Sequence, residues 1–574
     1  MDDLLIRGGT VADGTGAPLR AADVAVKGGV ITSVGKAKGG AKREIDATGL
    51  LVTPGFVDVH THYDGQVTWD AFLSPSCWHG VTTAVFGNCG VGFAPVRPGS
   101  VGSLINLMQG VEDIPEIVLS EGVKFDWQTF PEYMSSIDRS PHAIDVGTQV
   151  PHAALRYFVM GERGMDHLAV PTDEEIATMG RHLEESLEAG ALGFTSSRTF
   201  RHMTADGRSV PSLSARESEW LGIAAAMRRC NKGVIEVNSD LGPGDFDFLR
   251  EMAKASGRPL SLLVMQTGAN PEKWRETLGL IEDARAAGLE VTSQVGCRAI
   301  GVLMGLETTM NPFSFHPRWK EIAALTPKQR YERLRDDEAL RNALVDGPLD
   351  AGALARIIDN LPRSYVLDAE LDYEPDPTRQ LGEIARGSGR SIRQVALDAM
   401  MQGGGKGLLL LPYENYHHGN LDAVREMLMH PASIVGLSDA GAHVGVICDA
   451  SAPTLLLTLW TRDRTRGPRL PLEFAVHKQT QATAWAFGMR DRGVLAPGYK
   501  ADINVIDYQA LQLAPPQVRY DLPAGGRRIM QRARGYMHTF VSGVETISQD
   551  ELTGALPGRL VRGARGPQPV PLPA

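Results

Sequence analysis

Three short stretches of the chain hold residue types able to bind a metal ion and move a proton. In Gly55-Phe-Val-Asp-Val-His-Thr-His-Tyr-Asp-Gly65, His60 and His62 stand two positions apart at the end of an apolar run. Residues i and i+2 of an extended strand face the same side, so both imidazoles point one way if this run is a strand. Such a pair in register suits zinc, and outweighs the alternative that one of the two is a hydrogen-bonded core histidine. In "GVTTAVFGNCGVGFAP", Cys89 lies between Asn88 and Gly90 after a second apolar run. A lone buried cysteine is ordinarily a small apolar side chain, yet in a glycine-rich turn at a strand end it is also placed to be a thiolate ligand. In "SIVGLSDAGAHVGV", Asp439 ends a third run and His443 follows four residues later. Asp439 could cap a helix; across a barrel mouth from His60 and His62 it would both bind a metal and take a proton from an attacking water.

Elements that would position these groups can be read from the same sequence. Eight apolar runs bounded by breakers read as strands: "GFVDVHTH", "TTAVFGN", "AIDVGTQV", "ALGFTSS", "GVIEVNSD", "PLSLLVMQ", "LEVTSQV" and "SIVGLSDAG". Helical segments separate most of them. The clearest runs from a Thr172/Glu175 capping box through an Ile176, Met179, Leu183 and Leu187 stripe to Gly190. This alternation predicts an α/β fold, a (β/α)8 TIM barrel with catalytic groups at the C-terminal strand ends; a doubly wound sheet has the same local pattern. Residues 1–53 and 486–560 are turn-rich and β-prone, and predict one small β-sandwich domain built from both termini around a barrel at 54–485. The long interval before "SIVGLSDAG" predicts an insertion, with a lid at about 300–345. The Pro- and Gly-rich residues 561–574 are expected to form a flexible tail.

Composition narrows the function classes. At 574 residues and 43% hydrophobic, the chain can bury a large core and exceeds one compact domain. Its net charge of −10 comes from mixed-sign charges without a basic stripe, which excludes a nucleic-acid partner. No apolar run approaches the ~18 residues of a membrane span, and the first residues lack a secretory pattern, so a cytoplasmic protein with no membrane association is expected. Five scattered cysteines (Cys77, Cys89, Cys230, Cys297, Cys448) argue against a disulfide scaffold and a structural zinc knuckle. A small-molecule substrate is the expected partner, and a homo-oligomer stays open.

The stretches "VTPGFVDVHTHYDG", "GVTTAVFGNCG", "GLSDAG" and "GVLAPGYKADINVID" resemble the amidohydrolase superfamily, in its N-acyl-D-amino-acid deacylase (D-aminoacylase)-like branch. The cysteine of "GNCG" separates that branch from dihydroorotase- and hydantoinase-like relatives, which use a carboxylated lysine instead. The resemblance is sharpest over residues 1–100 and 430–510. It implies a distorted barrel carrying zinc and a small β-sandwich from both termini. His60 and His62 would be ligands, Cys89 the bridging ligand, and Asp439 a ligand and the catalytic base. In the family mechanism a metal polarises the scissile amide carbonyl and acidifies a water, while the aspartate takes the water's proton and returns it to the leaving amine.

The resemblance also implies one histidine on the fifth strand and one on the sixth. Here Asn238 stands at the first place, near Glu236 and Asp240, and Met265 and Gln266 at the second. Neutral amides are weak zinc donors, so one zinc per chain is expected. His417 and His418 are candidate substitute ligands, and His152 and His443 candidate substrate contacts. Arg198, Arg201 and Arg298 could capture a carboxylate in place of the family's lysine and tyrosines. The expected activity is metal-dependent hydrolysis of the amide bond of a small N-acyl amino acid or related acylated amine. A cyclic-amide hydrolase and a catalytically impaired relative are the alternatives.

Overall fold

The computed structural model describes residues 1–348, 355–367 and 371–563. Short turn-linked strands open the chain: β1 (Asp2–Val11), β2 (Arg20–Lys27), β3 (Val30–Gly35), β4 (Ala41–Asp46) and β5 (Leu51–Pro54). They share one nine-stranded sheet with Ile503–Ile506, Tyr536–Val541, Val544–Ser548 and Glu551–Leu552. The seam between the two chain ends is the antiparallel pairing of β5 with Ile503–Ile506, in which Val52 opposes Val505. Ile6, Val24, Val52, Ile503 and Val505 pack together beneath it.

From Phe56 onward the pairing becomes parallel. β6 (Phe56–Asp58), β7 (Val81–Phe86) and β8 (Asp145–Thr148) form one sheet. β9 (Val150–Pro151), β10 (Gly193–Arg198), β11 (Val234–Ser239), β12 (Leu260–Leu263), β13 (Val291–Val295) and β17 (Ser433–Val435) form a second. Each of the eight apolar runs contains one of these strands, except that "AIDVGTQV" is split into β8 and β9 at Gln149, whose N–H turns to Phe86 O. The other ends of the two sheets also meet. Thr61 bridges Ala440 in parallel, and Asp439 N donates to His60 O at 3.2 Å. β7 is buried along its whole length, as expected of strands covered on both faces.

The helix Asp173–Ala189 begins at Thr172 with both capping-box bonds in place and ends at Gly190 in the left-handed region. Met179, Leu183 and Leu187 are buried. Between β13 and β17, β14 (Ile300–Gly305), β15 (Tyr365–Leu367) and β16 (Leu408–Glu414) make a separate antiparallel sheet. It is covered by helices whose Leu334, Leu344, Leu397 and Met400 form their own apolar cluster with Met304 and Leu409. The antiparallel sheet that begins at β14 runs on to Glu414, beyond the 300–345 interval, because β14 pairs with β16. Of the expected flexible tail, Val561 and Gly563 donate to Val146 O and Gly190 O; residues 564–574 lie outside the described residues. Among the described residues no helix is long and apolar enough to cross a membrane.

Candidate metal centre

His60 and His62 follow the end of β6 and are buried. Between them the Thr61 hydroxyl donates to Val85 O at 2.8 Å, and the two rings meet edge to face with centroids 5.4 Å apart. Cys89 and Gly90 form a tight left-handed turn after β7, with φ of 55° and 69°. Gly90 is needed there: a Cβ would stand 2.7 Å from Ser196 Cα, and its N–H donates to Thr195 Oγ1 at 3.1 Å. The Cys89 N–H donates to Glu236 Oε2 at 3.1 Å. This turn sets Cys89 Sγ 3.4 Å from His60 Nε2. Asp439, also left-handed (φ 45°), brings Oδ1 to 3.5 Å from His60 Nε2 and 3.7 Å from His62 Nε2. One ligand atom each from His60, His62 and Cys89 lie within 4.8 Å of one another.

Behind the ligand atoms stands a second ring of polar groups. His60 Nδ1 meets Gln294 Oε1 at 2.8 Å, so Nδ1 carries the proton and Nε2 keeps its lone pair for a cation. His62 Nδ1 faces Glu112 Oε1 at 3.3 Å, and Glu236 Oε1 lies 3.9 Å from His60 Nδ1. Among the described residues, His62 Nδ1, Glu112 Oε1 and Glu236 Oε1 are buried without a hydrogen-bond partner. The carboxyls of Asp58, Asp64, Glu112, Glu236 and Asp439 crowd this region, and among the described residues none pairs with a lysine or arginine.

The electrostatics follow from that crowding. Burial pushes Glu236 up to about 8, and Asp58 and Asp64 up to about 7. Burial and then Glu236 hold the Cys89 thiol well above its usual range. His60 falls to about 4, chiefly through burial. For His62 burial acts downward, but Glu112 and Asp439 outweigh it and raise the ring to about 9. Asp439 is held well below the usual carboxylate range because the neighbouring imidazoles outweigh burial. Two imidazoles, a thiol and a surplus of buried acid groups form a donor set that a divalent cation fits: it would supply the missing positive charge and displace protons from Cys89 and His62.

Several candidates from the sequence lie elsewhere. His152 is a core residue rather than a substrate contact: its two ring nitrogens meet Ser196 Oγ and Glu219 Oε1, both at 2.8 Å, and Glu219 also pairs with Arg156. Arg298 is buried against Asp449 at 3.1 Å and lies over Tyr373, so no carboxylate from solvent reaches it. Arg198 pairs with Asp245 and lies over Phe248. Arg201 pairs with Glu414 at 2.5 Å at a half-exposed position. His418 is exposed on Glu272. His417 docks its N–H on Gln266 Oε1 at 2.9 Å, beyond the end of β12, but neither it nor His418 belongs to the ligand cluster. His443 stands beside the centre, its Nε2 3.8 Å from Glu112 Oε2.

Glu112, Gln294 and His202 were missed. Glu112 ends the helix Val101–Glu112 in "QGVEDIP", a stretch that reads as a solvated helix end. Gln294 sits inside β13 with no local mark of function. His202, beyond β10, reaches Asn238 Nδ2 at 3.3 Å, and Asn238 Nδ2 is 3.8 Å from Cys89 Sγ.

Two histidines and a cysteine that could hold a metal ion thus lie beside an aspartate at the ends of parallel strands. The profile described as "Amidohydrolase family" matches residues 43–547. The chain therefore belongs to the amidohydrolase family, in its D-aminoacylase-like branch, and is a hydrolase of carbon–nitrogen bonds other than peptide bonds. It is 37% identical over 514 residues to an N-acyl-D-aspartate deacylase of Alcaligenes xylosoxydans xylosoxydans, covering 88% of this chain and 86% of that one. It is 26% identical over 580 residues to a D-aminoacylase of the same organism, covering 97% of each. Among solved structures it is similar to a D-aminoacylase described with a binuclear metal centre, where one metal activates and the second attenuates: TM-score 0.64, 25% identity, 98% of this chain and all of that one. An N-acyl-D-glutamate deacylase of Bordetella bronchiseptica, complexed with zinc and a phosphonate mimic of the tetrahedral intermediate, gives a TM-score of 0.63 at 25% identity, covering 98% of this chain and 99% of that one. The fold is the mixed α/β fold of these structures.

Proposed function

We propose that the protein is a zinc-dependent deacylase of small N-acyl-D-amino acids, working with one ion per chain. The single observation carrying this is the convergence of the His60, His62 and Cys89 ligand atoms, with the Asp439 carboxylate beside both imidazoles. His60 Nε2, His62 Nε2 and Cys89 Sγ would hold the ion, with Asp439 at its side. Bound there, zinc supplies Lewis-acid polarisation of the scissile carbonyl and lowers the pKa of water. One ion is favoured because Asn238 and Gln266 offer amides where a second would need imidazoles. In the same reading the eight strand positions form a distorted (β/α)8 barrel over residues 54–485, and the nine-stranded sheet belongs to a sandwich built from 1–53 and 486–560.

The chain's own residues supply the proton transfers. Asp439 is ionised at neutral pH and keeps 15% of its side chain exposed, so it can face an attacking water. It accepts the water's proton and returns it to the leaving amine as the C–N bond breaks. His60, neutral and oriented by Gln294, needs no deprotonation to act as a ligand.

The test pairs metal analysis of protein purified without added zinc with hydrolysis of a panel of N-acyl-D- and L-amino acids and cyclic amides. One zinc per chain and D-selective release of the amino acid are expected, with kcat lowered about 10²- to 10⁴-fold by Asp439→Asn. Metal-free protein that neither takes up zinc nor cleaves any N-acyl-D-amino acid would overturn the proposal.

A further inference from the structure

We propose that Glu112 is a positioning residue that orients His62 for the metal and clamps the Asp439 loop to the centre; this rests on the metal-site reading above. Glu112 is 1% exposed at the end of the helix Val101–Glu112. Its Oε1 lies 3.3 Å from His62 Nδ1, and among the described residues each of these atoms lacks a hydrogen-bond partner. The opposite ring nitrogen, Nε2, faces Asp439 Oδ1 at 3.7 Å. With a carboxyl oxygen as the acceptor facing Nδ1, Glu112 favours the tautomer with the proton on Nδ1 and leaves the Nε2 lone pair to a cation. Gln294 does the same for His60 with a neutral oxygen. The helix C-terminus adds partial negative charge on the side from which Glu112 comes.

A second set of contacts ties Glu112 to the loop beyond Asp439. The His443 N–H donates to Glu112 O, and His443 Nε2 lies 3.8 Å from Glu112 Oε2. Asp439 and His443 both occupy the left-handed region, with φ of 45° and 49°, a conformation that needs outside support in a non-glycine residue. Further along, Gly445 O accepts from Thr309 N at 3.0 Å, Val446 O from Leu303 N at 2.7 Å and Val444 O from Ile529 N at 2.6 Å. Glu112 is the one member of this brace that also touches a proposed ligand. Among the described residues the cations facing this buried carboxylate are the His62 and His443 imidazoles, which makes it costly to retain; orienting His62 accounts for its place.

The test uses the full chain stripped of metal and titrated calorimetrically with Zn2+, as wild type, Glu112→Leu, Glu112→Gln and Glu112→Asp. Co2+ loading with visible absorption reports ligand geometry independently of activity. Glu112→Leu, which keeps no acceptor, is expected to weaken Zn2+ binding about 10- to 100-fold and to shift the Co2+ bands, with Glu112→Gln recovering part of both. The urea midpoint of metal-free Glu112→Leu should not fall, which a merely structural role would require. Unchanged Zn2+ affinity and an unchanged Co2+ spectrum in Glu112→Leu would overturn the assignment; should that variant not fold, Glu112→Asp, one methylene too short to reach the ring, decides it in the same way. Wild type that shows no Zn2+ uptake dependent on His60 and Cys89 would overturn the metal-site reading itself, and this assignment with it.

Discussion

Gln294 Oε1 meets His60 Nδ1 at 2.8 Å, and the Gln294 amide nitrogen donates to Ser261 Oγ at 3.1 Å. A residue in the middle of β13 thus governs the protonation pattern of a histidine 234 positions earlier. Replacing Gln294 with leucine leaves His60 free to adopt the other tautomer, with its lone pair turned away from Cys89. Zinc affinity is expected to fall about 10- to 100-fold. The loss of a buried hydrogen-bond pair should cost about 1–3 kcal/mol in urea unfolding. Calorimetric titration of the metal-free variant checks the first, and wild-type affinity would show that the amide does not set the ring.

Gly90 touches no ligand atom, yet it fixes where Cys89 can stand. Its φ is 69°, and a Cβ there would lie 2.7 Å from Ser196 Cα and 2.9 Å from Ser197 N, both backbone atoms. Gly90→Ala should therefore shift the 88–91 turn off β10 and carry the thiol away from His60. The expected results are weaker Zn2+ binding and a destabilisation of about 1–3 kcal/mol. A variant with native stability and a native Co2+–thiolate absorption band would show that the turn has room to spare.

His79 links three parts of the molecule. Its Nε2–H donates to Gln531 O at 2.9 Å and its Nδ1 lies 2.9 Å from the Thr454 hydroxyl, while its carbonyl accepts from Tyr536 Oη. Burial, with Arg532 adding to it, holds the ring down at about 4. The unfolded chain therefore binds a proton near pH 6.5 that the folded chain refuses. Stability is fully present above that pH and is lost as the pH falls from 6.5 towards 4, by up to about 3 kcal/mol. Urea midpoints from pH 7.5 to 4.5 should fall less steeply for His79→Gln than for wild type. Parallel curves would exclude His79 as a source of acid sensitivity.

What could be read without a structure was local. The eight apolar runs, the Thr172 cap and the strand-end positions of His60, His62, Cys89 and Asp439 depend on periodicity and on neighbours a few residues away, which the linear sequence records. The break of the third run at Gln149 was not visible, since it depends on Gln149 turning to Phe86 on a neighbouring strand. Nor were the residues that orient the ligands. Glu112 and Gln294 look like a helix-end acid and an ordinary strand amide until folding brings them against imidazoles far away in the chain. The same cause removed His152 and Arg298 from the candidate substrate contacts: each had a plausible position, and each was taken by a buried acid, Glu219 and Asp449, that long-range packing delivers. The sequence by itself determined which atoms could bind a metal. Only the tertiary structure decided which of them converge and which partners hold them, because convergence depends on contacts between residues with no fixed spacing along the chain.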